Sequence, residues 1–364
     1  MRFNLKINEK DALLSLGQLV RFYRLQNNLS LRDLGSIVKI SHTLISNIEK
    51  GKVSPNIETL SDILRALGIQ LNDSTSMVAE FIAKYDEVFN YLYEYEISKA
   101  TIIMNGVIEK EETYIASVCA PDYLSLKLFF LALRDELYGE NQEFIELMYQ
   151  IKDYFGESQK QLFNLTYGIY QYNKGFYKDA ETHLIEALKQ GSKKLDLLVN
   201  VYMVKVHLKM FRFMDVIKLG ETTIVSLETD LLYLRAMEVR LSLAYANIIV
   251  KKHKEAIKLL DKVYRFAKFY NAIYLLSECD LLYSAIYFKE QKYDLAMIKV
   301  NQVLGNNPFV FYIRMSLAYY RQDMNDVWKY YKGMKEVNAF KQIERSDLVF
   351  DLAMRRFGLL EMTD

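Results

Sequence analysis

Between Leu16 and Ile69, apolar residues recur at helical spacing in four short bursts, each with its own start and stop signals. In LGQLVRFYRLQNN, Leu16, Leu19, Val20 and Tyr23 share one face, and the polar pair Asn27 and Asn28 ends the run. Ser30, with Asp33 three residues on, makes a capping box ahead of LRDLGSIV. Ser41 caps SHTLISNIEKG, which Gly51 closes in the manner of a left-handed C-terminal residue. Pro55 and Asn56 open IETLSDILRALG, closed by Gly68. The pattern predicts four helices with a tight turn between the second and third. Their core is Leu34, Ile37, Leu44, Ile45, Ile48, Leu60, Ile63 and Leu67.

QLNDSTS at 70–76 is a polar, cap-rich break and reads as a linker. Beyond it, long amphipathic segments follow one another across short polar turns, and one unit recurs. LTYGIYQYNKGFYKDAETHLIEALKQG at 165–191 reads as helix, turn, helix, with Gly168, then Gly175 and Tyr177 at the turn, then Ala180, Leu184 and Ala187. The frame returns with Ala244 and Ala256, and again with Ser284, Tyr293, Ala296 and Pro308, while a degenerate copy carries Val216. The small residue opening the second helix falls at 180, 216, 256 and 296, at intervals of 36, 40 and 40. Weaker copies centre on Ala100, Phe144 and Val327, and residues 105–160 give little signal. The chain therefore divides into an arm at 1–15, a small domain at 16–69, a linker at 70–76 and a helical-repeat domain at 77–364.

Composition agrees with an all-α chain. The 364 residues include 14 Gly and 3 Pro, about 5% together where roughly 12% is usual, which disfavours turn-rich sandwiches and barrels. Net charge is only +1, so no whole-chain field draws nucleic acid or an anionic membrane. Residues 1–72 nevertheless hold ten Lys or Arg against six Asp or Glu, leaving 37 against 40 for the remainder, so the first fifth is the basic part. Cys119 and Cys279 stand alone and fit buried thiols in a reducing cytosol. The first ten residues lack the apolar run of a signal peptide, and LSLKLFFLAL at 124–133 is too short to span a bilayer, which points to a cytoplasmic protein without a membrane partner.

Catalytic and cofactor chemistry is scarce. His42, His183, His207 and His253 fall in separate elements without metal-ligand spacing, and there is no phosphate-cradling glycine loop or nucleophile elbow. EKEE at 109–112 reads as a solvated helix face. The expectation is no enzyme, no cofactor and no metal.

Gly17, Arg24, Ser30, Leu34, Ile40 and Ser41, then ISNIEKG at 45–51, Pro55, Leu60 and Leu67, resemble the phage-repressor-like (Cro/C1/Xre) helix-turn-helix family. One position departs: Leu31 stands where that family often has a phosphate-touching Gln. The resemblance implies that the helix from Ser41 to Lys50 lies in the major groove of a double-stranded DNA operator, with His42, Thr43 and Asn47 toward base edges. Asn47 suits a bidentate pair with adenine, His42 a guanine acceptor and the Thr43 methyl a thymine methyl. Ser41, Ser46, Lys50 and Lys52 belong with them, the last three toward phosphates. Arg24 and Glu49 resemble that family's buried ion pair between the first and third helices.

The recurring unit resembles tetratricopeptide repeats, with helices longer than usual. That likeness implies a right-handed superhelix whose first helices line a concave groove. Projection of the frame places Leu165, Ile169, Tyr172 and Asn173 there, then Val201, Lys205 and Leu208, then Leu241, Tyr245 and Ile248, and finally Leu281 and Phe288. Such a face suits a short apolar peptide, with Asn173 for its backbone and Lys205 for its C-terminal carboxylate. The rival is a superhelix that buries this face against itself or against the segment near Leu348 to Leu360.

Reader plus repeats resembles the RRNPP group of peptide-responsive regulators, which includes the Rgg and PlcR types. The resemblance implies a homodimeric transcriptional regulator that senses a signalling peptide. Two alternatives stand beside it: repeats serving only dimerisation or a partner protein, and an effector enzyme with a DNA-binding head.

Overall fold

The computed structural model describes residues 9–69, 75–115, 117, 119–152, 155–189, 192–304 and 308–341. Among them every regular element is a helix, and the chain forms two compact units, Met1–Met210 and Phe211–Asp364.

The first unit opens with α1 (Glu9–Gln26), α2 (Leu31–Val38), α3 (His42–Glu49) and α4 (Ile57–Ala66). Helix α1 begins at Glu9, inside the stretch expected as an arm. Each start signal in the sequence is used. Ser30 accepts from the Asp33 amide while Asp33 accepts from the Ser30 amide, and the same hydrogen bonds hold the Asp33 carboxyl below its usual range. Ser41 Oγ accepts from the Leu44 amide and Asn56 Oδ1 from the Thr59 amide. Gly51 and Gly68 end α3 and α4 with φ of 63° and 74°. Leu19, Val20, Leu34, Ile45, Ile48, Ile63 and Leu67 form the core, with Leu44 and Leu60 packed at its edge. Ile37 was expected in that core and is 54% exposed. Leu34 and Val38, four apart, hold the inward stripe of α2, and Ile37 falls beside it.

The repeat helices of the first unit are α5 (Thr75–Glu94), α6 (Ile97–Ile108), α7 (Glu111–Ile115), α8 (Ala120–Leu133), α9 (Glu140–Ile151), α10 (Glu157–Asn173), α11 (Tyr177–Leu188) and α12 (Lys193–Lys209). Most of the expected linker, 70–74, lies outside the described residues, as does the segment near Leu348 to Leu360. The second unit holds α13 (Phe213–Thr229), α14 (Tyr233–Ile249), α15 (His253–Phe269), α16 (Ile273–Lys289), α17 (Tyr293–Gln302), α18 (Pro308–Tyr320) and α19 (Met324–Lys341).

A regular turn explains the period. Helices α12 to α16 each have 17 residues, and left-handed residues follow them at Phe211, Leu231, Lys251, Asn271 and Gln291. Two such helices and their turns make the 40-residue repeat seen in the sequence. Tyr95, Asp135 and Gly175 mark the same turn in the first unit. Ala180, Val216, Ala256 and Ala296 are all 0% exposed, as are Ala100 and Val327, so the small residue sits where the paired helices touch. At the neighbouring Gly168 an added Cβ would lie 2.9 Å from Leu184. Phe144 breaks the rule, because α9 starts only after Gly139 and the frame slips; Ile145, at 0%, takes the buried place.

Candidate functional site

In the head, the turn from α2 to α3 passes close over Gly35, where an added Cβ would stand 2.8 Å from the Ile40 carbonyl oxygen. That turn fixes α3 so that Ile45 and Ile48 point into the core, 0% and 1% exposed. The opposite face carries the residues expected to read DNA. Ser41, His42, Thr43, Lys50 and Lys52 are exposed, and Ser46 and Asn47 are half-buried at the edge of the same face. Among the described residues, no side-chain hydrogen bond engages His42, Thr43 or Asn47, so their donors and acceptors are available to an outside partner. Arg32 and Lys39 are exposed on the adjoining α2 and its turn, which adds positive charge beside Lys50 and Lys52.

Behind this face, Arg24 Nε and Nη2 donate to the two oxygens of Glu49 at 2.6 and 3.0 Å, and Nη1 donates to the Leu29 carbonyl at 2.7 Å. Both side chains are buried, and the pair ties α1 to α3. Arg21 and Gln18 were missed by sequence reading. Arg21 Nη1 also reaches Glu49, at 3.3 Å, while Gln18, 2% exposed, donates to Gln159 at 3.2 Å.

The projected groove fares differently in each unit. In the first, Leu165, Ile169 and Val201 are 0%, 1% and 0% exposed, so they belong to the packed interior and offer no lining to a ligand. Asn173 was expected to meet a peptide backbone; its amide donates to the Ala132 carbonyl at 3.0 Å. Lys205 was expected to meet a carboxylate; its ammonium lies over the rings of Tyr95 and Tyr202, at 5.7 and 5.0 Å. Lys194, also on α12, covers Tyr93 at 4.4 Å and donates to Asn90 Oδ1 at 3.2 Å, both on α5. Lysines of α12 thus reach α5 and its following turn, and Asn173 and Lys205 have partners within the chain. Tyr172, packed against Tyr177 and Tyr202, and Leu208 remain half-buried.

In the second unit, Ile248 and Leu281 are 2% and 3% exposed and also belong to the interior. Leu241, Tyr245 and Phe288 stay half-buried, with Phe288 against Tyr293 and Tyr320. Burial raises the Tyr245 hydroxyl above its usual range, so it remains a neutral donor. Among the described residues no His, Cys, Asp or Glu group could hold a metal ion, and no helix is long and apolar enough to cross a membrane.

Fold and site together define an all-helical protein with a helix-turn-helix head followed by helical repeats. The helix-turn-helix family matches residues 20–73. Comparison with curated proteins finds no match. Among solved structures, the apo form of the quorum sensor NprR from B. thuringiensis is similar at a TM-score of 0.60 and 14% identity, over 78% of this chain and 83% of that one. NprR in complex with its cognate peptide NprX gives a TM-score of 0.64 at 13% identity, over 78% and 86% of the two chains. The apo form of RapI gives 0.52 at 12% identity, over 76% and 81%. At these identities the likeness establishes the fold.

Proposed function

We propose that this chain is a DNA-binding transcriptional regulator, not an enzyme. It reads an operator with α3 and responds to a short apolar peptide through its repeats. One observation carries the reading: α3 holds a buried side of Ile45, Ile48 and Glu49 against the core and turns His42, Thr43, Asn47 and the two lysines outward. Side chains that can pair with base edges thus stand on a rigid helix of groove-fitting width, with phosphate-seeking cations at its end. A head of this size contacts few base pairs, so the regulator works as a homodimer on half-sites about one helical turn, or a multiple of it, apart.

For the peptide, the half-buried Leu241, Tyr245 and Phe288 of α14 and α16 replace the buried positions as the candidate contacts. NprR, similar in fold, is described in complex with a cognate peptide, which supports peptide binding as the task of the repeats. Selecting duplexes from a random pool with the full chain, then footprinting the winners, tests the DNA function: paired half-sites support it, and recovery of no preferred sequence rejects it.

A second reading is favoured by exposed apolar residues at the end of α15 and in the turns that follow α13 and α15. Leu231, Phe269 and Tyr270 are 68%, 82% and 61% exposed, which suits a protein contact rather than a peptide response.

A further inference from the structure

Helix α1 has two packed faces. One enters the core of the head, and the other lies against α8 and α9. There, Leu19 and Phe22 face Pro121, Leu124, Met148 and Phe155 across a void of about 10 Å³, room for one water at most. Ala120 of α8 joins the same apolar cluster as Leu34 and Ile45, so the head's core continues into the repeat helices.

Two polar links cross this seam. Gln18 donates to Gln159 Oε1 at 3.2 Å, and Gln159 donates to Asp122 Oδ1 at 3.0 Å, which connects α1 to α10 and α8. Arg21 Nη2 donates to the Gln150 carbonyl at 3.3 Å, while Nη1 reaches Glu49 Oε2 at 3.3 Å. Gln150 lies in the last turn of α9, where carbonyls lack a helical donor and the helix dipole favours a cation. Glu49 is the last residue of α3. One guanidinium therefore touches both the reading helix and a repeat helix. The Gln18 link is part-buried and the Arg21 link to Gln150 stands at the solvent-exposed edge of the seam, so the two together define one pairing geometry between head and repeats.

We propose that the repeat helices hold the reading head in a single orientation, with Arg21 as the positioning residue that fixes α3 relative to α9. The proposal rests on DNA reading by α3. Docking leaves His42, Thr43, Lys50 and Lys52 exposed, so it aims the reading face without covering it. Because the seam ties the head to α8, α9 and α10, a rearrangement of those helices would be passed to the reading helix through it.

The test uses the full chain with spin labels at Glu58→Cys on α4 and Lys178→Cys on α11, both exposed, since Cys119 and Cys279 are buried. One narrow distance is expected. Gln18→Ala combined with Arg21→Ala broadens it and weakens binding to the selected duplex about tenfold, with helix content unchanged. Arg21→Lys keeps the cation and retains both the narrow distance and the affinity. A broad distribution in the unsubstituted chain, or a double variant that stays narrow with undiminished affinity, overturns the proposal. A narrow distance in a chain that selects no duplex contradicts DNA reading itself and removes the role assigned to Arg21 with it.

Discussion

Arg24 and Glu49 meet in a two-pronged ion pair, 2.6 and 3.0 Å, with side chains 5% and 1% exposed. The pair joins the last turn of α1 to the end of α3, and Arg24 also satisfies the Leu29 carbonyl where the chain leaves α1. Its geometry is what keeps two charges tolerable in the core, because each oxygen of Glu49 has a donor.

Arg24→Ala should therefore destabilise the protein by about 3 kcal/mol, since Glu49 is left buried with only the more distant Arg21 as cation. Thermal unfolding of the full chain, followed by helix signal, checks this. An unchanged melt with lost DNA binding would reassign Arg24 to phosphate contact.

Gly17 gives an independent probe of the same helix pair. A Cβ there would lie 2.4 Å from the Ile48 carbonyl oxygen and 2.7 Å from that of Glu49, both backbone atoms that cannot rotate away. Gly17→Ala should force α1 and α3 apart and cost about 1 to 3 kcal/mol. A melt equal to wild type would mean that the two helices separate freely.

The head was legible in the sequence because its signals are local. Ser30 with Asp33, Ser41, Asn56, Gly51 and Gly68 each act within a few residues of the element they bound. The repeat frame was legible because Ala180, Val216, Ala256 and Ala296 must be small wherever two helices touch. Residues 105–160 were opaque for a physical reason: α8 is buried on nearly every side from Ala120 to Ala132, so no polar face gives it a period. The same problem hid the groove. Nearly all of α14 from Arg235 to Ile248 is buried or half-buried, and spacing alone cannot separate floor from lining. Gln18 and Arg21 escaped notice because a polar strip on a helix reads as solvent-facing, and only the fold brings Gln159 and Gln150 to it.

Both cysteines should resist modification in the folded chain. Burial, with Asp280 and Glu278 nearby, pushes the Cys279 thiol up to about 12, and at pH 8 only about one thiol in ten thousand is then ionised. Alkylation at pH 8 should label neither residue until denaturant is added. Rapid labelling of Cys279 without denaturant would contradict its burial.

The peptide assignment makes a separable prediction. Tyr245→Ala and Phe288→Ala each remove a half-buried ring from α14 or α16. Both variants should bind the selected duplex like wild type yet lose the melting shift that a pool of short apolar peptides gives the wild-type chain. If the variants keep that shift, the peptide binds elsewhere; if wild type shows none, the repeats serve a protein partner instead.

Sequence reading by α3 is the central claim, and Asn47 tests it most directly. The affinity of full-length Asn47→Ala is measured on the selected duplex and on a scrambled one, beside Lys52→Ala. The account predicts that Asn47→Ala loses about 1 to 3 kcal/mol on the selected duplex and almost nothing on the scrambled one, while Lys52→Ala weakens both. Equal losses for Asn47→Ala on the two duplexes would contradict it.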